Sequence, residues 1–387
     1  MRSRFRKILF VVLTCGLTIL ILKYMYMIHL DKRTFRNNLS DTKLDDKWRH
    51  FTTASKTVQR QMKCTRRTKD KAKLLNMTSL LASMNRTDDQ LDNLKPGGRY
   101  TPLTCEARHR VAIIVPYRDR ETHLKVFLKY IHPFLQQQQL EYGIFVVEPI
   151  ASVKFNRALL MNIGFVEVNK LHYYDCFIFH DVDLLPESDI TNYTCQQSPL
   201  HMSSAIDTKK YRLPYRTYFG GVCAFKKEHF EAINGFSNLY FDWGGEDDDL
   251  HERIKYSHLR VTHLSPENGR YKMLGHEQAK QNPDKILLFK SMKQRQHSDG
   301  LNSLKYNVIH QQLKRLYTLI LVNINETLIL ESEPIHKQAL SPKVFDVSRS
   351  YTLRRKPSNY SMRRNSINFF KNREQRNHSI YTRKQNN

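Results

Sequence analysis

The sequence predicts an α/β fold of the nucleotide-binding kind, and three observations lead to it. Short apolar runs without polar alternation occur at Val111–Val115, Tyr142–Val147 and Cys176–Phe179, the pattern of strands buried on both faces. Between them lie two stretches at helical spacing. The third run closes on Asp181-Val182-Asp183, at the edge where open α/β sheets receive ligands.

Val111-Ala-Ile-Ile-Val115 predicts the first strand. Glu121–Gln138 then places Leu124, Phe127, Leu128, Ile131 and Leu135 at helical spacing. Tyr142–Val147 reads as the second strand, Asn156–Val168 as the second helix and Cys176–Asp183 as the third strand. Strand, helix, strand, helix, strand is one nucleotide-binding half. The chain holds no G-x-G-x-x-G and no G-x-x-x-x-G-K-[ST], so dinucleotide oxidoreductases and P-loop ATPases fit poorly. At 387 residues with 40% hydrophobic and 11% aromatic side chains, it can bury one large core or two domains.

The net charge of +26 points first to nucleic acid, but its distribution points away. Residues 105–340 hold 29 basic and 27 acidic side chains, a net of +2, and the excess lies in the flanks. The N-terminus reads Arg2, Arg4, Arg6 and Lys7, then runs apolar from Ile8 to Leu22 and, past Lys23, largely apolar to Leu30. A cleaved signal peptide shares that layout, but bulky Tyr24, Met25, Tyr26 and Met27 follow where a small-residue cleavage site belongs. The expectation is a retained anchor with a cytoplasmic N-terminus and a lumenal body. The expected organisation is a cytoplasmic tail over 1–7, a transmembrane signal-anchor over 8–30 and a polar, basic stem over 31–95. A catalytic domain follows over 96–335, then a basic, disordered tail over 336–387.

Seven N-x-[ST] sequons agree with a lumenal body: Asn38, Asn76, Asn85, Asn192, Asn325, Asn359 and Asn377. Outside the anchor stand five cysteines, Cys64, Cys105, Cys176, Cys195 and Cys223, and none forms a C-x-x-C pair. Disulfides in an oxidising lumen are preferred over a zinc site, with an odd cysteine left over.

Four motifs can carry chemistry. Asp181-Val182-Asp183 offers hard oxygen ligands for a divalent cation bridging phosphates, or a solvated loop. Trp243-Gly-Gly-Glu-Asp-Asp-Asp249 joins an aromatic face and a glycine hinge to four consecutive carboxylates. Its plainer reading is an acidic helix start. Met273-Leu-Gly-His276 can present two side chains to one point, although a soft thioether favours packing over a hard metal. Pro116-Tyr-Arg-Asp-Arg120 supplies two arginines that clamp phosphate or face solvent.

These motifs, together with Phe155-Asn-Arg-Ala158, Tyr218-Phe-Gly-Gly-Val222 and Ser298-Asp-Gly-Leu-Asn-Ser303, occur in an order that resembles the β-1,4-galactosyltransferase family of type II Golgi enzymes. The resemblance covers roughly residues 96–323. It implies a Rossmann-like GT-A fold and an inverting, Mn²⁺-dependent transfer of galactose from UDP-galactose to O4 of a terminal N-acetylglucosamine or related sugar. Its implied setting is the Golgi membrane, with no nucleic-acid partner. By the same resemblance Pro116, Tyr117, Arg118, Arg120, Phe155, Arg157, Asp181, Val182, Tyr218, Trp243 and Gly244 face the donor. Asp183, Met273 and His276 hold Mn²⁺, Asp247 is the base and Glu246 its partner. Tyr215, Asp248, Lys285 and Ile286 face the acceptor. The implied disulfides are Cys64–Cys105 and Cys176–Cys195, leaving Cys223 free.

Three positions depart from the family pattern. Thr208 stands where a lysine is frequent, with Lys209 adjacent; Lys285-Ile286 replaces Arg-Phe; and Phe241-Asp242 replaces an aromatic-Gly pair. The competing expectations are a UDP-N-acetylgalactosamine transferase of the same family and a membrane-anchored glycan-binding protein without catalysis. Possession of Asp183, Met273, His276, Glu246 and Asp247 together argues against the latter.

Overall fold

The computed structural model describes residues 62–65, 73–77, 91, 93–150, 153–277 and 279–331. The expected tail 1–7, the anchor 8–30, the basic tail from 336 and the sequons Asn38, Asn85, Asn359 and Asn377 lie outside the described residues. Among the described residues no helix is long and apolar enough to cross a membrane.

The first half of the body runs β1 (Arg99–Tyr100), β2 (Arg110–Pro116), α1 (Glu121–Gln136), β3 (Glu141–Pro149), α2 (Arg157–Leu171) and β4 (Cys176–His180). Then come the short strands β5 (Leu184–Pro186), β6 (Leu200–His201) and β7 (Ala205–Ile206), followed by β8 (Val222–Lys226) and α3 (Lys227–Ala232). The last part is α4 (Glu246–Tyr256), β9 (Thr262–His263), β10 (Arg270–Met273), α5 (Lys285–Arg295), β11 (Asn307–Leu313), β12 (Thr318–Asn323) and α6 (Glu326–Glu331).

The main sheet has the order β11-β12-β3-β2-β4-β8-β6-β9, with β1 beside β3. β2 pairs parallel with β3 on one side and β4 on the other, so the chain reverses direction across the sheet at β2. That reversal opens a crevice beyond the carboxyl ends of β2 and β4. Val111 to Val115 are fully buried and alternate between two cores. Ala112 and Ile114 join Phe145, Phe177 and the α2 side chains; Val111, Ile113 and Val115 join Phe127, Leu128 and Ile131 of α1. Gly164 lets α2 lie close to the sheet, because a Cβ there would stand 2.5 Å from Ile114 Cγ2. Such overpacking costs about 1–3 kcal/mol.

Two sequence expectations need correction. The third strand ends at His180, not Asp183, because Asp181–Asp183 form a turn in which Leu184 N donates to Asp181 O at 3.3 Å. Leu184 then starts a separate sheet, ordered β5-β10-β7. The first helix ends at Gln136, two residues early.

Part of the expected stem packs on the body. Cys64 is bonded to Cys105, Leu75 N donates to Glu187 O at 2.8 Å, and Met77 is buried in the α1-side core. Cys176–Cys195 is also formed, and Cys223 is a buried free thiol. Asn76, Asn192 and Asn325 are exposed.

Candidate active site

The crevice is built from chain segments that leave strands. Pro116 ends β2, and Tyr117 N still donates to Val147 O at 2.9 Å. The Arg118 guanidinium lies over the Phe155 ring, 5.1 Å from its centroid, and also donates to Val153 O. Arg120 turns the other way, its Nη1 2.9 Å from Asp183 Oδ2.

After β4, Val182 is buried and the Asp183 carboxylate is only 8% exposed. His276 Nδ1 stands 3.0 Å from Asp183 Oδ2. Met273 comes alongside because β10 pairs antiparallel with β5, which sets Met273 opposite Leu184. Leu274 N donates to Asp183 O at 2.8 Å and Met273 N to Asp207 Oδ1 at 2.9 Å, so the β10 end is tied on both sides. The structure thus sets His276 on the Asp183 carboxylate and brings the Met273 backbone alongside, although these residues lie far apart in sequence. Thr208, one of the three departures, directs its hydroxyl at Met273 Sδ over 3.4 Å.

Arg157 sits at the centre of the carboxylates. Asn156 caps α2 by accepting from Leu159 N at 2.9 Å, and this presents Arg157 at the first helical position. Its Nε donates to Asp181 Oδ1 at 2.6 Å and its Nη1 to Asp247 Oδ1 at 2.8 Å. The same Nη1 lies 3.5 Å from Glu246 Oε1, and Nη2 donates to Gly221 O at 3.2 Å. Burial opposes the guanidinium charge, but Asp181, Asp247 and Glu246 outweigh it and raise its pKa further.

The acidic run forms the first turn of α4, where unpaired backbone N–H groups favour negative charge. Its members differ in environment. Burial, reinforced by the Asp247 charge, pushes Glu246 up to about 8, and its Oε2 has no hydrogen-bond partner. Burial likewise raises Asp181 to about 6, with Arg157 pulling the other way. Asp248 accepts from Tyr215 Oη at 2.7 Å. Asp247 Oδ2 points at Gly220: a Cβ built there would lie 2.5 Å from that oxygen and 2.8 Å from Tyr218 Oη. Gly220 is therefore the backbone wall on which Asp247 and Tyr218 converge. Lys209 donates to Tyr218 Oη, with its Nζ 3.8 Å from the ring centroid.

Gly244 and Gly245 both take positive φ, +104° and +100°, and turn the chain from Trp243 into α4. Asp242, where the family pattern has glycine, also takes a left-handed φ of 64°, a conformation that Asp tolerates. Trp243 pairs with the strand of residues ahead of α5, its N donating to Lys280 O at 2.9 Å and its O accepting from Asn282 N at 3.0 Å. Lys285 Nζ lies 5.7 Å from the Trp243 ring centroid, and Ile286 is 53% exposed.

Sequence reasoning missed a buried ion network beneath this turn. Asp249, the last carboxylate of the run, accepts from Arg253 Nε at 2.5 Å, Arg295 Nη2 at 3.1 Å and Tyr240 Oη at 3.0 Å. Asp299 accepts from Arg253, Arg295, Ser237 and Asn238 N, and all four charged side chains are at most 1% exposed. The signal lay in Ser298-Asp-Gly and in a carboxylate four residues before Arg253. It also missed His180, whose Nδ1 donates to Asp181 O at 2.8 Å while Nε2 accepts from Tyr193 Oη at 2.8 Å.

Two family models match the chain: the N-terminal region of glycosyl transferase group 7 over residues 64–196, and the N-terminal domain of galactosyltransferase over 200–277. The fold is that of a mixed α/β glycosyltransferase. β-1,4-Galactosyltransferase 4 of Cricetulus griseus is 45% identical over 230 residues, which span 59% of this chain and 67% of that protein. β-1,4-Galactosyltransferase 1 of Bos taurus is 45% identical over 240 residues, 61% of this chain and 60% of that protein. A solved Drosophila β-1,4-galactosyltransferase 7, in complex with manganese, UDP-Gal and xylobiose, aligns with a TM-score of 0.49. It is 28% identical and covers 56% of this chain and 94% of that one. The chain belongs to the β-1,4-galactosyltransferase family.

Proposed function

We propose that this protein is an inverting β-1,4-galactosyltransferase. Its GT-A domain moves galactose from UDP-galactose to O4 of a terminal N-acetylglucosamine or related sugar. The observation that supports this most is the single guanidinium of Arg157 holding Asp181, Asp247 and Glu246 together at the carboxyl edge of β4.

An inverting transfer needs one group to take the acceptor hydroxyl proton as the new bond forms. Asp247 is that group in this reading. Arg157 fixes one of its oxygens, and the other faces the Gly220 wall. Glu246, raised to about 8, carries its proton at neutral pH, so its unpartnered oxygen is free to give a hydrogen bond to a bound sugar and it does not compete as base. Trp243 on its glycine hinge offers an aromatic face to a sugar ring. Arg118 and Arg120 bring positive charge to the edge where a diphosphate lies.

The residues fit Mn²⁺. Asp183 supplies a buried carboxylate oxygen and His276 an imidazole nitrogen, both suited to this ion, with Met273 as a weaker third donor. Among the described residues no three of His, Cys, Asp and Glu converge, so the set needs the thioether and substrate oxygens. Held by Asp183 and His276, such an ion would supply positive charge to offset that of the diphosphate. A membrane anchor over 8–30 and a Golgi-lumenal body complete the reading, supported by two disulfides and exposed sequons at Asn76, Asn192 and Asn325. The test is a panel of UDP-sugars against N-acetylglucosamine with and without Mn²⁺. UDP-galactose should be the preferred donor, and preference for another sugar contradicts the assignment.

A further inference from the structure

Behind the Gly220 wall lies a pair of histidines, one buried and one half-buried. His201 ends β6, is fully buried and stands in register with His263 of β9. His201 Nε2 is 2.9 Å from Gly220 O, and its Nδ1 is 2.9 Å from His263 Nδ1. A carbonyl only accepts, so Nε2 of His201 carries hydrogen. Burial, with further lowering by His263, Lys209 and His251, holds His201 neutral by pushing its pKa down to about 3. Its Nδ1 is then a bare lone pair, and the hydrogen between the rings belongs to His263. The direction of the chain follows: His263 donates to His201, which donates to Gly220.

The far end of this chain is the reaction wall. Gly220 O also accepts from Ser203 Oγ at 3.0 Å, and the His201 ring meets Tyr218 edge-on with centroids 5.6 Å apart. On its other side Gly220 faces Asp247 Oδ2 and Tyr218 Oη. We propose that His263 is a positioning residue: the hydrogen it gives His201 fixes the Gly220 backbone and the Tyr218 ring, and so holds the surface against which Asp247 is aimed. The inference rests on the reading of Asp247 as the base.

The test compares the detergent-solubilised full-length protein with His263→Leu, which removes the donor, and His263→Asn, whose amide nitrogen can stand near the place of Nδ1. Initial rates with UDP-galactose and N-acetylglucosamine give kcat and donor KM, and thermal melting confirms that each variant is folded at assay temperature. His263→Leu should lower kcat about tenfold, the equivalent of about 1.4 kcal/mol, with donor KM within about threefold of wild type. His263→Asn should recover kcat to within about twofold, since the donated hydrogen is what matters. If His263→Leu is not recovered folded, His263→Ala removes the same donor without bulk and takes its place. Wild-type kcat in the donorless variant, or equal losses in Leu and Asn, overturns the proposal. A wild-type enzyme that prefers another UDP-sugar overturns the donor assignment instead, and the variants are then compared with that sugar.

Discussion

Arg157 Nη1 donates to Asp247 Oδ1 over 2.8 Å, joining the first residue of α2 to the second residue of α4. The same guanidinium holds Asp181, so the sheet edge and the acidic turn are fastened by one cation whose side chain is 15% exposed. Two carboxylates this close, Asp181 and Asp247, repel one another unless a positive charge stands among them. Their common orientation is thus a property of Arg157.

The first prediction concerns pH. The Glu246 carboxyl is raised from 4.5 to about 8, mainly by burial. Between those values the native state holds a proton that the unfolded chain has released, so this group's contribution is complete below about pH 4.5 and lost as pH rises through about 8. Glu246→Gln removes that titration. Melting temperatures measured from pH 5 to pH 9 should show the variant gaining on wild type as pH rises. A constant difference across the range contradicts the raised pKa.

A second prediction follows from the buried network under α4. Replacing Arg295 by Met leaves Asp249 and Asp299 each short of a cationic partner in a site closed to water. Breaking a buried pair on one side costs about 3–5 kcal/mol. Urea unfolding should register a loss of that order, and a loss below about 1 kcal/mol would mean Arg253 alone suffices.

Tyr218 gives the third. Its hydroxyl is held by Lys209 beside the Gly220 wall. The family resemblance that sets Tyr218 on the donor side implies that this phenol faces the 2-position of the sugar and crowds an N-acetyl group, so a smaller side chain should admit one. Donor competition on Tyr218→Leu should show N-acetylgalactosamine transfer rising, with galactose transfer little changed. An unaltered donor ratio would place Tyr218 in packing alone.

The fourth concerns the metal. Asp183→Asn keeps the shape and removes the charge beside His276 and Met273. Activity should fall by at least about a hundredfold, and the Mn²⁺ concentration for half-maximal activity should rise, because metal stabilisation is worth several kcal/mol. Full wild-type activity in excess chelator would refute metal dependence.

Much of the fold was legible because the parallel strands are buried on both faces. Val111–Val115 reads as strand from its unbroken apolarity, and Leu124, Phe127, Leu128, Ile131 and Leu135 read as one helix face that the structure buries. The antiparallel side was not legible. β6 and β9 are two residues each, too short for any period, and they exist through pairing with β8 and with each other. The site divides in the same way. Asp181 and Asp183 could be placed from the strand before them, but the β5–β10 ladder that brings Met273 to Asp183 is a long-range pairing with no local signature. Four consecutive carboxylates look alike in sequence. Only the fold separates buried Asp249 on two arginines from Glu246 with an unpartnered oxygen and Asp247 on Arg157.

In the proposed mechanism Asp247 takes the acceptor proton while Arg157 holds the Asp247 carboxylate in place. Asp247→Asn is nearly isosteric and keeps an oxygen for Arg157, so it removes the basic carboxylate with little change of shape. The direct measurement is kcat for galactose transfer alongside the Kd for UDP in the presence of Mn²⁺. With Asp247 as the base, kcat should fall by about 10²–10⁴, the worth of a positioned general base, with the UDP Kd within about threefold of wild type. A UDP affinity that collapses in proportion to kcat, or a turnover that stays near wild type, would contradict it.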